Sequence, residues 1–318
     1  MSRLIGVIGA GAIGGWVAGR LALAGNRVSV LARGATADAL RGGTTIVEHG
    51  EEQVAQLNIA TDAASIGPQD VVIIAVKAPA LAEAAQAARA MTGPNTLIVP
   101  MMNGVPWWFM EGAPLDSVDP TGRIAAALPL GQVLGCVVHA ACRRTGPARI
   151  EVVMLDNLLI GEPGGGPSDR ATAFAAMLAA AGLAGQAIPD IRRAIWYKLW
   201  GNMTANPISA LTLATADRIL ANTETRAFML DCMAEAAAIG TAIGCPISES
   251  GEDRLVVTAT LGAFKTSMLQ DVEAGRPIEL DALLAAPLEI AARVGVPAPN
   301  LSALHGLARI MGESRGLV

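Results

Sequence analysis

The sequence predicts an α/β domain followed by an all-helical one, and three observations carry that prediction. Residues 5–14 read Ile-Gly-Val-Ile-Gly-Ala-Gly-Ala-Ile-Gly, an apolar run of strand type that stops at Gly9 and opens a G-x-G-x-x-G. Strand and helix patterns then alternate, and the unbroken run Val71-Val72-Ile73-Ile74-Ala75-Val76 suits a strand buried on both faces of a parallel sheet. Beyond Asp190 strand alternation disappears and helical periodicity dominates, with breaks near Gly244–Pro246, Gly275–Pro277 and Gly295–Pro299.

The first element is the strand ending at Gly9, with an alanine-rich helix pattern, Trp16–Ala24, close behind. Strand, glycine turn and helix in this order are what binding a dinucleotide pyrophosphate requires. Gly9 permits the tight turn, Gly11 lets phosphates approach the backbone, and Gly14 lets helix and strand pack closely. The helix then directs open amides and its positive end at the phosphates. This is a Rossmann-type site, with Gly9, Ala10, Gly11, Ala12, Ile13 and Gly14 as cofactor-binding candidates. A plain αβ turn is the alternative.

The second strand, Arg27–Ala32, should end near the adenosine ribose. NAD-preferring sites carry Asp or Glu there, about 20 residues past the glycines. Here Arg33 is followed by Gly34, with no carboxylate nearby to repel a phosphate. A guanidinium repays a 2′-phosphate with a bidentate, charge-assisted contact, so the expected cofactor is NADP(H). A solvated arginine at a strand end is the plainer alternative.

Lys77 closes the Val71–Val76 strand, Pro79 opens a helix running to about Ala90, and Pro94-Asn95 turns the chain into the strand Thr96–Val99. This βαβ order predicts a parallel sheet, extended by strand-like stretches at Val133–Ala141, Arg149–Val153 and Asn157–Ile160. Glu162–Ser168 is a flexible connector, Ser168 or Asp169 caps the helix Ala171–Ala181, and Leu183–Ile188 is a last short strand. The boundary falls near Pro189, giving an NADP-binding domain over 1–189 and a helical substrate and catalytic domain over 190–318.

Composition excludes several function classes. The 318 residues suit two domains. A net charge of −5 and a pI near 5.3 argue against nucleic acid and anionic membrane surfaces as partners. Mean hydropathy is +0.45, yet no apolar run of about 20 residues lacks glycine, proline or charge, so no spanning helix is expected. The apolar N-terminus is accounted for by the nucleotide-binding strand rather than a secretion signal. Cys136, Cys142, Cys232 and Cys245 lack C-x-x-C spacing, which suits reduced thiols in a cytoplasmic protein. His49, His139 and His305 stand at no metal-ligand spacing, so no metal site is expected. The helical domain is apolar enough to hide a homodimer interface, and a large internal core accounts for the same residues.

The strongest catalytic signal lies in the helix that starts near Asp190. Lys198, Asn202 and Asn206 are spaced i, i+4, i+8 and share one face, among Trp196, Leu199, Trp200 and Met203. In so apolar an element they cost free energy unless paired or facing a wet cleft. One reading has Lys198 snorkelling and the asparagines bonded to nearby backbone. The other offers an anionic 2-keto acid a cation and two amides: Lys198, ordinarily protonated near neutral pH, would stabilise the carbonyl oxygen and supply its proton. Asn202 and Asn206 would hold the remaining oxygens in register.

A second group runs from Lys265-Thr266-Ser267 to Asp271 and on to Arg276-Pro277-Ile278-Glu279. Ser267 could bond a substrate oxygen and Glu279 a cofactor ribose or amide, although a capped helix and a turn would look the same. Lys77 and Asn103-Gly104 stand near the carboxyl ends of strands, where open α/β sheets bind ligands, and either also suits ordinary turn chemistry. Trp107-Trp108-Phe109, in a chain with 3% aromatic residues, is either core packing or a wall over a substrate pocket.

Taken together, these residues resemble the ketopantoate reductase (2-dehydropantoate 2-reductase) family. The resemblance runs from Gly9–Gly14 through Val76-Lys77-Ala78, Asn103-Gly104, Lys198-Leu199-x-x-Asn202-x-x-x-Asn206-Pro207 and Ser267–Asp271 to Arg276–Glu279. It implies NADPH-dependent reduction of a 2-keto acid to a 2-hydroxy acid, most directly ketopantoate to pantoate in pantothenate biosynthesis. Lys198 then matches the family's proton donor, and Asn202, Asn206 and Ser267 its substrate-binding positions. Lys77, Asn103 and Glu279 match residues around the nicotinamide, Asn103 also facing substrate. Ala141 matches a backbone contact to cofactor, and Arg33 the partner of the 2′-phosphate.

Three departures concern the substrate. A further substrate-contacting asparagine would fall near Ala216, Met102 stands where a polar residue often precedes Asn103, and Trp107–Phe109 is bulkier than the small residues expected there. The same chemistry on another branched or aromatic 2-keto acid is therefore the alternative. A non-catalytic NADPH sensor is a more remote one, which the intact Lys198, Asn202 and Asn206 oppose.

Overall fold

A computed structural model describes residues 2–318. The chain divides into two compact units. The first takes the residues through Met102 together with Thr121–Arg192, and the second takes Asn103–Pro120 with Arg193–Val318. The sequence draws one cut at Pro189; the structure also assigns the segment after Met102 to the helical unit.

The first unit opens with β1 (Leu4–Ile8), α1 (Ala12–Leu23), β2 (Arg27–Leu31) and α2 (Gly34–Leu40). A hairpin, β3 (Thr44–Glu48) and β4 (Glu51–Ala55), precedes the short β5 (Asn58–Ala60). β6 (Gln69–Ile74), α3 (Leu81–Arg89), β7 (Thr92–Pro100) and α4 (Arg123–Ala127) follow. β8 (Gly135–Gly146), β9 (Arg149–Gly161), α5 (Asp169–Ala180) and β10 (Gly185–Ala187) complete it. The parallel sheet has the order β5-β2-β1-β6-β7. Strand order reverses at β1, so the carboxyl ends of β1 and β6 flank the crevice where such sheets bind ligands.

The structure corrects several expectations about the sheets. The stretches after Val133 do not extend this sheet; they build a second one, β10-β9-β3-β4 with β8 paired to β9. Its template is the β3–β4 hairpin, unanticipated from the sequence, whose Thr45–Val47 pairs with Arg149–Glu151. Arg149–Val153 and Asn157–Ile160 are parts of the single strand β9. Pro94-Asn95 lies within the span of β7, but in an irregular part of it: pairing with β6 passes from Thr92 to Leu97, and regular pairing resumes only beyond the Pro-Asn pair. The same irregularity appears on β6 as a register shift between Gln69 and Val71.

The second sheet explains why α1 is buried almost all round. Gly15 lies against Ile150 and Gly19 against Ile46, so close that a Cβ at either would fall within 3 Å of an isoleucine methyl. Trp16 is fully buried and its indole donates to Glu48 at 3.0 Å. One core thus joins Val7 and Val30 of the parallel sheet to Ile46, Ile150 and Leu158 of the other. As predicted, Ser168 caps α5, its Oγ accepting from the amide of Ala171.

The second unit carries α6 (Ile191–Thr212), α7 (Ala216–Ala221), α8 (Thr223–Ala242) and α9 (Gly251–Ala259). These are followed by α10 (Ser267–Glu273), a π-helical turn (Asp281–Ala285), α11 (Ala286–Val294) and α12 (Pro299–Ser314). Trp196 and Trp200 on α6 are buried, and their indoles donate to the carbonyls of Ala236 and Met233 on α8. Several contacts anchor the segment Asn103–Pro120. Phe109 stacks on Trp196 with ring centroids 5.8 Å apart. Glu289 of α11 accepts from the amides of Asp116 and Ser117 and from the Ser117 hydroxyl. Burial pushes that carboxyl up, yet the Ser117 and Asp116 donors and Arg293 leave it below its ordinary value. Trp107, Trp108 and Phe109 are at most 6% exposed, so this stretch is core. Among the described residues no helix is long and apolar enough to cross a membrane.

Candidate active site

In the first unit the glycine turn is packed tightly at Gly9 and Gly14 and open at Gly11. Gly9 adopts φ +105°, and a Cβ there would stand 2.5 Å from the carbonyl oxygen of Ala75. A Cβ on Gly14 would stand 1.9 Å from the Gly9 carbonyl oxygen, so helix and strand approach as closely as backbone allows. At Gly11, by contrast, nothing among the described residues lies within 4 Å of that position, and the residue is exposed at the N-cap of α1. The turn is closed on the protein side and open on the ligand side, which fits a pyrophosphate at a helix N-terminus. Ala10, Ala12 and Ile13 are half-buried around it.

Arg33 lies exposed at the N-cap of α2. It is not free of carboxylates: Glu83, in the first turn of α3, accepts from its guanidinium at 2.6 Å. The sequence hides this neighbour because the two are 50 positions apart. Both side chains border a cavity of about 220 Å³ with Gly9, Ala32, Val76 and Ala84. Lys77 is half-buried at the start of a 3-10 turn, Ala78–Ala80, just beyond β6. Ala141 lies half-buried in β8 and does not border this cavity.

In the second unit, Asn103 and Lys198 meet: the Lys198 ammonium donates to Asn103 Oδ1 at 2.8 Å. Both side chains are partly buried. Asn202 and Asn206 continue the same face of α6, Asn202 half-buried and Asn206 6% exposed. The loop holding Asn103 is set by the π-helical turn. The Val105 amide donates to the Ala282 carbonyl at 2.8 Å, and Gly104, at φ +81°, leaves only 2.5 Å between that oxygen and a would-be Cβ. No sequence signal marks Ala282, since the π-turn depends on packing. Glu279, two positions before that turn, is 8% exposed.

Ser267 opens α10 and is exposed, while Thr266 takes the capping role, its Oγ accepting from the Leu269 amide. Asp271 is buried and accepts from Arg276 Nε at 3.0 Å. Ala216 begins α7 and is buried. Burial pushes the Cys142 and Cys232 thiols up to about 12, so neither is a thiolate at neutral pH.

Comparison with known proteins identifies the family. Residues 5–165 match the family model for ketopantoate reductase PanE/ApbA, and residues 190–312 match its C-terminal counterpart. A 2-dehydropantoate 2-reductase of Mesorhizobium japonicum is 40% identical over 98% of both chains. The crystal structure of a candidate ketopantoate reductase from Ralstonia solanacearum MolK2 superposes with a TM-score of 0.95, at 50% identity and 99% coverage of each chain. A 2-dehydropantoate 2-reductase from Methylococcus capsulatus gives 0.84 at 28% identity, covering 98% of this chain and 97% of that one. The chain belongs to the ketopantoate reductase family of dinucleotide-binding oxidoreductases.

Proposed function

We propose that the protein reduces 2-dehydropantoate (ketopantoate) to pantoate with NADPH, and that it does so in the cytoplasm as a step of pantothenate synthesis. The observation that carries this reading is the Lys198–Asn103 hydrogen bond, which holds an ammonium in a defined direction on a face that continues into Asn202 and Asn206. The likeness to 2-dehydropantoate 2-reductases over nearly the whole chain supports the substrate. The spacing of its four cysteines, with no C-x-x-C pair, suits a reducing compartment.

When bound, NADPH supplies a hydride for the carbonyl carbon. Gly9–Gly14 would hold its pyrophosphate, Arg33 its 2′-phosphate, and Lys77, Asn103, Glu279 and the backbone of Ala141 its nicotinamide half. Lys198 would stabilise negative charge developing on the carbonyl oxygen and transfer a proton from Nζ to it. Asn103 would keep that ammonium aimed, and Asn202, Asn206 and Ser267 would orient the keto acid through its carboxylate and hydroxyl oxygens. An ammonium and neutral amides suit an anion that gains charge during reaction.

The test is NADPH oxidation, followed by absorbance, with ketopantoate beside branched and aromatic 2-keto acids. Saturable turnover with ketopantoate clearly preferred supports the reading. Turnover confined to another acid would keep the Lys198 chemistry and remove the protein from pantothenate synthesis.

A further inference from the structure

We propose that Glu83 is a cofactor-specificity residue: from α3 it supplies the carboxylate that the end of β2 lacks, and so moderates the preference for a 2′-phosphate that Arg33 creates. This rests on reading the first unit as an NADP(H) site. The cavity bordered by Gly9, Ala32, Val76 and Ala84 has two charged lining residues, Arg33 and Glu83, and they pair with each other at 2.6 Å. Its remaining lining is apolar apart from backbone, which suits the face of an adenine. The two charges therefore stand where the adenosine ribose of a dinucleotide on this turn would lie.

The two ligands make opposite demands on the pair. A 2′-phosphate needs the Arg33 guanidinium and must displace Glu83 from it. That exchange is easy, because the side chains are 66% and 70% exposed and exposed ion pairs are weak. Glu83 nevertheless remains on the first turn of α3, and its charge opposes the phosphate. A 2′-hydroxyl leaves the ion pair intact, and the second carboxylate oxygen of Glu83 can accept from the ribose, as an acidic residue after β2 does in NAD sites. An arginine alone would favour NADPH; with Glu83 beside it, NADH keeps a partner.

The test measures dissociation constants of NADPH and NADH by nucleotide fluorescence on the full-length protein, its E83Q variant and its R33A variant. E83Q should tighten NADPH by about two- to fivefold and weaken NADH, so that the ratio of the two shifts toward NADPH. The shift should shrink at high salt. Because both nucleotides are measured on one variant, a general change in stability leaves the ratio unmoved. An unchanged ratio in E83Q, with R33A still weakening NADPH selectively, overturns the role of Glu83 and leaves the cofactor reading standing. Equal weakening of both nucleotides in R33A overturns the cofactor reading itself, and this proposal with it.

Discussion

Asn103 and Lys198 stand 95 positions apart in the chain and 2.8 Å apart in space, the ammonium donating to the amide oxygen. A lysine on a helix face otherwise samples many rotamers, and this bond selects one of them. The amide spends its oxygen on Lys198 and keeps its NH2 group to donate elsewhere. The pair is a polar centre on a helix whose neighbouring residues in sequence, Trp196, Leu199 and Trp200, are apolar and buried.

If Lys198 delivers the proton, Lys198→Ala should lower kcat by about 10²–10⁴-fold while dinucleotide binding stays close to that of the parent protein. Asn103→Ala should cost less, since the ammonium survives and only its aim is lost. Steady-state kinetics with a fluorescence titration of NADPH would check both. Undiminished turnover in Lys198→Ala removes that residue from the mechanism.

Gly104 is the structural support of that pair. At φ +81° and with the Ala282 carbonyl 2.5 Å from a Cβ, alanine there forces the Asn103 loop off the π-helical turn. Gly104→Ala should destabilise the protein by about 1–3 kcal/mol and lower kcat more than it raises KM. Thermal melts and initial rates would show it, and a variant with parental kcat would mean that Asn103 does not depend on this contact.

The connector before α5 carries a pH-dependent bond. Glu162 accepts from Arg170 at Nε and Nη2 and from Ser168, and its side chain is 20% exposed. Arg170 holds the carboxyl below its ordinary value of 4.5, against the opposing effect of burial and with Ser168 adding to the lowering. The folded-state value being depressed, the stabilisation is present above the ordinary carboxylate range and is lost as pH falls through the lowered value. Glu162→Gln should thus melt below the parent at neutral pH, by about 1 kcal/mol after allowance for exposure. The difference should close as pH falls below 4.5. A pH-independent difference would contradict this assignment.

Phe109 is fully buried and stacked on Trp196. Phe109→Ala should cost about 3–5 kcal/mol in denaturant unfolding. A loss under about 1 kcal/mol would mean that Asn103–Pro120 is not anchored through this ring.

The sequence is most legible where structure is local. The strand, glycine turn and helix of residues 4–23, the break positions between helices and the Ser168 cap all follow from turn chemistry and periodicity acting over a few residues. The α6 face could be read because three polar residues at helical spacing conflict with their apolar neighbours. By itself, then, the sequence determined an α/β unit with a dinucleotide turn, a helical unit, and the identity of the lysine and asparagines that mark the family.

Only the tertiary structure decided the rest. It made the β3–β4 hairpin the template of a second sheet, drew Asn103–Pro120 into the helical unit, placed Glu83 on Arg33, and joined Asn103 to Lys198. Each of these pairs groups whose individual propensities are satisfied in many other arrangements. Which arrangement wins depends on how whole elements bury their apolar faces, and that free energy is summed over contacts far apart in the chain.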